Sequence, residues 1–181
     1  MVQDADDITE ATPADAQACA DIYAHYVRTT AATFELEPPT AAEMGERISA
    51  AQARHAWLVL RREGVVVGHA YGSTFRARPA YRWSCEVSAY LHHDHRGRGG
   101  GRALYTALLA RLAARGLRTA TAGVALPNPA SLALHTALGF SEVGTFHRVG
   151  WKLGAWHDVT WFERPLADPG ADATVAPDEP R

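Results

Sequence analysis

The stretch from Tyr90 to Leu109, YLHHDHRGRGGGRALYTALL, gathers three histidines, then arginines alternating with glycines, then an apolar run at helical spacing. Three chemistries could use it: a metal, a nucleotide phosphate, or a nucleic-acid backbone. A metal site draws ligands from separate elements, whereas His92, His93 and His95, with Asp94 among them, are neighbours in one loop with no evident partner elsewhere. Solvated loop histidines explain them, and no metal is expected. A P-loop needs a lysine after its glycines, and none follows here. The dinucleotide pattern GxGxxG, counted from Gly97, is broken by Arg102, and no acidic ribose ligand is evident downstream. What survives is a phosphate cradle. A strand ends, glycines at 97, 99, 100 and 101 turn the backbone with its amides bare, and a helix opens with its positive end beside them. Arg96, Arg98 and Arg102 add cations, so the expected ligand is a pyrophosphate.

The elements that must position this cradle follow from capping and periodicity. A strand at Asp7 to Ala11 precedes Thr12 and Pro13, a cap and first turn for a helix running to about Arg28. Thr40 and Glu43 form a capping box for a second helix carrying Met44 and Ile48, which leaves a candidate pocket loop between the two. AWLVLRR and VVVGHAYGSTF, split by Glu63 and Gly64, read as a hairpin. The arginine-rich loop RARPAYRW leads to a strand from Ser84 to Leu91. Leu104, Leu108 and Leu112 mark a helix from Gly101 to Gly116, and TATAGVAL resumes the sheet. Asn128 and Pro129 begin a short helix that Gly139 ends, and SEVGTFHRVGWK and WHDVTWFERPL read as two last strands. The order predicts an α/β (α+β) domain over residues 7–166, with a mixed central sheet of about six to seven strands flanked by helices. Residues 167–181, rich in Ala, Asp and Pro, read as a disordered tail.

With 181 residues the chain has room for one core, and a net charge of −2 excludes a general nucleic-acid binder, so any phosphate contact must come from local placement of cations. Lys152 is the only lysine, and the remaining cationic side chains are arginines, whose planar fork suits carboxylate and phosphate. No apolar run spans a bilayer, the N-terminus is acidic and polar, and Cys19 and Cys85 are far apart; a cytoplasmic protein with reduced thiols is expected.

Residues 96–101, RGRGGG, resemble the acetyl-CoA loop of the GNAT N-acetyltransferases, Gln/Arg-x-x-Gly-x-Gly/Ala between a strand and a helix. LPNPASLALHTALGF resembles that family's second motif, an Asn opening a helix that ends in Gly-Phe. TTAATFELEP, AYGSTFRARPAYRWSCEVSAYL and GWKLGAWHDVTWF are similar to segments of its phosphinothricin and methionine sulfoximine/sulfone N-acetyltransferases. The resemblance implies a GNAT fold, acetyl-CoA as cosubstrate, a small amino-acid-like acceptor and a homodimer. Relatives differ in their preferred acceptor.

Roles follow from the same resemblance. Ala89, Tyr90 and Leu91 would offer backbone amides to the oxyanion and pantetheine arm; Gly97, Arg98, Gly99, Gly100, Gly101 and Arg102 would hold the pyrophosphate; Asn128 would touch the cofactor. Arg76, Ala77, Arg78, Glu86, Val87 and Ser88 would line the acceptor site, where guanidinium forks suit carboxylate, phosphinate or sulfone oxygens. Phe34, Tyr81 and Trp83 could wall it or belong to the core. Glu86 resembles the family's general base, and a partly buried carboxylate can take the proton that an ammonium must lose before attack. His135 stands where the subfamily has a histidine that could act as acid or base. A thiol mechanism through Cys85 and His135 competes with this, but strand alternation sends Cys85 and Glu86 to opposite faces, and Glu86 is favoured. Two other activities share the fold: acetylation of a protein N-terminus or lysine, and a sensor that binds acyl-CoA without turnover.

Overall fold

The computed structural model describes residues 7–167 and 178–180. In chain order, β1 (Asp7–Glu10) leads through a 3-10 turn (Pro13–Asp15) to α1 (Ala16–Thr29) and α2 (Ala41–Arg54). Then come β2 (Trp57–Arg62), β3 (Val65–Thr74), β4 (Ser84–Leu91), α3 (Gly100–Ala114), β5 (Thr119–Ala125), α4 (Pro129–Ala137), β6 (Ser141–Lys152) and β7 (Ala155–Pro165). The strands make one seven-stranded sheet in the order β1-β2-β3-β4-β5-β7-β6. Every neighbouring pair is antiparallel except β4 with β5. The capping box of α2 closes as the sequence predicts: Thr40 Oγ1 accepts from the Glu43 amide while the Glu43 carboxylate accepts from the Thr40 amide at 2.7 Å.

Period-two alternation divides the core. Leu58, Leu60, Cys85 and Val87 face α3, where Leu104, Leu108 and Leu112 are buried against them, and α4 lies on the same side. Trp57, Val59 and Tyr90 face α1 and α2, which contribute Ile22, Val27, Met44 and Ile48. Glu86 and Ser88, in step with Tyr90, therefore belong to the α1/α2 face.

The parallel pairing is short. It joins Ser84, Cys85 and Glu86 to Thr119, Ala120 and Thr121 in turn, and goes no further. Beyond Thr121, β5 continues against β7 alone, so the two strands part in the middle of the sheet. The expected tail falls largely outside the described residues. Residues 178–180 are described, and Asp178 accepts a hydrogen bond at its carbonyl from Trp83 Nε1 at 2.9 Å.

Asp15 ties the N-terminal turn to the sheet. Its carboxylate accepts from the Thr12 amide at 2.8 Å, the Thr12 hydroxyl at 2.9 Å and Arg61 at 2.5 Å. Burial opposes its ionisation, but these bonds outweigh it and hold its pKa below the usual carboxylate value. Its stabilisation is thus full above the unfolded carboxylate pKa and fades as pH falls through the lower folded one. Asp15→Asn is expected to cost about 1–3 kcal/mol at pH 7 in urea unfolding, with the difference from the parent shrinking as pH falls below the unfolded carboxylate pKa and through the lower folded one.

Candidate active site

Where β4 and β5 separate, a groove of about 770 Å³ opens, walled by residues 87–91 on one side and 123–128 on the other. Thr29, Thr30, Ala31 and Ala32, from the end of α1 and the loop after it, form part of its rim. Lys152 anchors that loop to β6 by donating to the Thr33 carbonyl at 2.7 Å. Phe34 packs in the same region, its ring occupying the space that a Cβ on Gly150 would need, so glycine there lets the loop close against β6.

The backbone of β4 decides which donors reach the groove. The His92 amide bonds the Val67 carbonyl, on the β3 side, at 2.8 Å, while the Cys85 carbonyl accepts from Thr121 Oγ1 on the β5 side at 3.1 Å. Alternation then turns the amides of Val87, Ala89 and Leu91 toward the groove and that of Tyr90 toward β3. Leu91 is already engaged: its amide donates to the Tyr26 hydroxyl at 3.3 Å, and that hydroxyl donates to the Leu91 carbonyl at 2.6 Å. Of the three residues expected to supply oxyanion amides, Ala89 keeps a donor on the groove side. Val87, expected at the acceptor site, adds another.

At the groove's far end the glycines do what their number suggests. Gly97 and Gly99 have φ of +73° and +81°, a region that side-chain-bearing residues rarely enter. Gly99 precedes α3, whose first amides lack intrahelical partners. A Cβ on Gly100 would meet Leu60 Cδ2 at 2.7 Å, so the helix start is packed down onto the sheet. Gly97, Gly99, Gly100, Gly101 and Arg102 line the groove, as does Arg96. Arg98 does not; its carbonyl accepts from Arg62 at 3.2 Å. Arg96 also reaches His25 at 3.0 Å and lies over the Tyr26 ring. Asn128 spends its Oδ1 on the Ser131 amide at 3.2 Å, and the residue lines the groove beside α4.

His135 is 2 % exposed and borders the groove. Its Nδ1 lies 2.8 Å from the Ser131 carbonyl, which can only accept, so the ring proton sits on Nδ1 and Nε2 presents a lone pair. No protein partner meets Nε2 among the described residues. Burial lowers the pKa, the Ser131 carbonyl partly opposing it, so the ring is neutral at pH 7. Phe162 stacks on it, and Tyr105 and Phe140 meet its edges. Tyr105 also borders the groove, and the sequence does not mark it, because a tyrosine between core leucines reads as packing.

Cys85 is fully buried against α3, its thiol directed to the Thr119 carbonyl and pushed up to about 12 by burial. It is neither ionised nor in the groove. Glu86 is half-buried on the opposite face, and burial raises its pKa while the Arg76 guanidinium restrains the rise. The expected acceptor residues divide around it. Arg76, Ala77 and Arg78 line a second recess of about 490 Å³, together with Tyr81 and Arg82, whereas Val87 and Ser88 line the groove. In the histidine loop, His92, His93 and Asp94 bring potential ligand atoms within 4.8 Å of one another, and His95 is not in that group. His93 is stacked between His25 and His92.

Comparison with known proteins agrees with this geometry. The acetyltransferase (GNAT) domain family matches residues 8–161. A phosphinothricin N-acetyltransferase of Streptomyces viridochromogenes is 40 % identical over 94 % of this chain and 93 % of its own. An L-methionine sulfoximine/L-methionine sulfone acetyltransferase of Salmonella typhimurium is 33 % identical over 93 % and 96 %. The crystal structure of a phosphinothricin acetyltransferase from Sinorhizobium meliloti, in complex with acetyl-CoA, superposes with a TM-score of 0.90 at 38 % identity, covering 95 % of this chain and 92 % of that one. Split strands, a glycine cradle at a helix N-terminus and this breadth of identity make the chain a member of the GNAT acetyltransferase family.

Proposed function

We propose that the chain transfers acetyl from acetyl-CoA to the amino group of a small anionic amino acid or analogue, of the phosphinothricin or methionine sulfoximine/sulfone kind. The groove carries the reading: it joins a pyrophosphate cradle at one end to bare strand amides along its length. Acetyl-CoA fits that donor set. Bare amides at the start of α3, with Arg102 beside them, complement the pyrophosphate. Val87 and Ala89 can pair with the pantetheine amides as a further strand would, and Asn128 stands on the facing wall.

The chemistry asks for a neutral amine, a donor to the oxyanion and an exit for the thiolate. Glu86 takes the ammonium proton, directly or through water, and its raised pKa makes it a better base than a solvated carboxylate. A groove-facing amide of β4 donates to the carbonyl oxygen as it gains charge. His135 is neutral with a lone pair on a buried Nε2, which accepts a hydrogen bond from a water enclosed beside it or from a cosubstrate that displaces its neighbours. A thiol with a pKa of about 8.5 is a competent leaving group without a strong acid. The arginines of the recess favour an anionic acceptor and oppose a lysine-rich peptide, and thiol release with an amino-acid acceptor separates an enzyme from an acyl-CoA sensor.

We further infer a homodimer. Val143, Phe146, Val149, Trp151, Leu153 and Trp156 are exposed on the β6–β7 hairpin, and β6 is an edge strand. Such an apolar edge is stable in water when a second copy covers it. No described helix is long and apolar enough to cross a membrane, and use of acetyl-CoA suits a cytoplasmic protein.

Glu86→Gln is expected to lower kcat by about 10²–10³, with acetyl-CoA affinity by calorimetry within about twofold of the parent. The kcat/KM of the parent should rise with pH through the ionisation of Glu86, which must lose its proton to act as base, and Glu86→Gln should lack that limb. For the cradle, Gly99→Val should weaken acetyl-CoA binding by about tenfold or more, whereas Gly99→Asn, which tolerates positive φ, should retain most of it. Equal binding by both variants would remove the cradle from its role. Trp151→Asp should convert the dimer to a monomer in sedimentation velocity.

A further inference from the structure

The recess that holds Arg76, Ala77 and Arg78 already contains part of the chain. Glu179 and Pro180 form part of its lining, opposite Arg54, Arg76, Arg78 and Arg82. Two contacts fix the segment, and Pro180 lies close beside Gly116. Arg82 pairs with the Glu179 carboxylate, Trp83 Nε1 donates to the Asp178 carbonyl at 2.9 Å, and Pro180 Cα lies 3.6 Å from where a Cβ on Gly116 would be. Arg82 also donates to the Pro79 carbonyl at 2.9 Å and stacks on the Trp83 ring, so the residues that receive the segment are held in place on their own account.

Four guanidinium groups around one recess repel one another and draw in an anion. Ser84, which lines the recess, lies two residues before Glu86 on the same face of β4, and the Arg76 charge reaches Glu86, so the recess adjoins the proposed base. A carboxylate carried by residues 178–180 therefore stands where the acid group of an amino-acid acceptor would be received. We propose that this recess is an anion subsite for which the chain's own C-terminal segment, residues 178–180, competes with the anionic end of the acceptor. The competition rests on the acceptor reading above, while the docking of the segment does not depend on it.

The strength of the contacts fits displacement and not permanent closure. The Arg82–Glu179 pair is exposed, at 39 % and 69 % of the side chains, and exposed pairs bind weakly. Tethering compensates, because a segment on the same chain competes at an effective concentration in the millimolar range. An acceptor in that range displaces it, and dilute acceptors are screened out.

A chain ending at Ala167 tests both parts. Docking is read from the Trp83 indole ¹H–¹⁵N resonance, assigned with Trp83→Phe, which should shift on truncation and shift back when a peptide of residues 176–181 is added. Competition is read kinetically: truncation should lower KM for phosphinothricin or methionine sulfone about fivefold, with kcat and KM for acetyl-CoA unchanged. Glu179→Gln should give part of that fall, and the peptide should inhibit the truncated chain competitively against the acceptor. An indole resonance indifferent to truncation overturns the docking. An acceptor KM that stays the same or rises overturns the competition, a rise meaning that the segment is a wall of the site. If both chains form product with peptide acceptors only, the acceptor reading fails, and the resonance still decides the docking.

Discussion

The structure turns on the parting of β4 and β5 after the Glu86–Thr121 pair. A parallel ladder that continued would satisfy the inward amides of β4 and leave no groove. Because it stops, an edge with unpaired donors lies in the middle of the sheet, bounded by α3 at one end and the β6–β7 hairpin at the other. Interior strand edges carry unpaired polar groups at a cost, and a ligand with amides of its own relieves it. Alternation along the same strand assigns the side chains: Cys85 is sealed under α3, and Glu86 lies on the opposite face, the side of α1 and α2.

Anion handling is achieved without surplus positive charge. The whole chain carries a net charge of −2, yet two places gather several cations each, the glycine cradle and the 76–82 loop. At the cradle much of the attraction comes from backbone dipoles, which cannot be titrated and need no counter-ion. At the loop it comes from guanidinium groups, which demand one. That difference explains why the loop, and not the cradle, receives an acidic segment of the same chain.

How much of this is legible in the sequence depends on how local each determinant is. The cradle is legible because positive φ demands glycine, and the second helix because Thr40 and Glu43 lie three residues apart. The opposition of Cys85 and Glu86 needs only the period of a strand. The direction of the backbone amides is not legible, since it depends on which neighbour each strand chooses and where pairing ends. The motif groups Tyr90 and Leu91 with Ala89, although one amide points to β3 and the other is held by Tyr26, which is 65 residues away in sequence. Composition groups Arg98 with its neighbours, but its side chain does not line the groove. Contacts between Trp83 and Asp178, separated by 95 residues, leave no pattern in composition or period.

The tautomer of His135 bears on how the reaction ends. A histidine serving as acid must carry a proton on the nitrogen that faces the substrate. Here the Ser131 carbonyl takes the only ring proton of the neutral form, and burial disfavours adding a second. Tyr105, another polar side chain at this wall, is a weak acid made weaker by burial. Neither group is disposed to protonate a thiolate. In the proposed mechanism the difficult proton is the one on the ammonium, and Glu86, the proposed base, is the last residue of β4 paired with β5 before the strands divide.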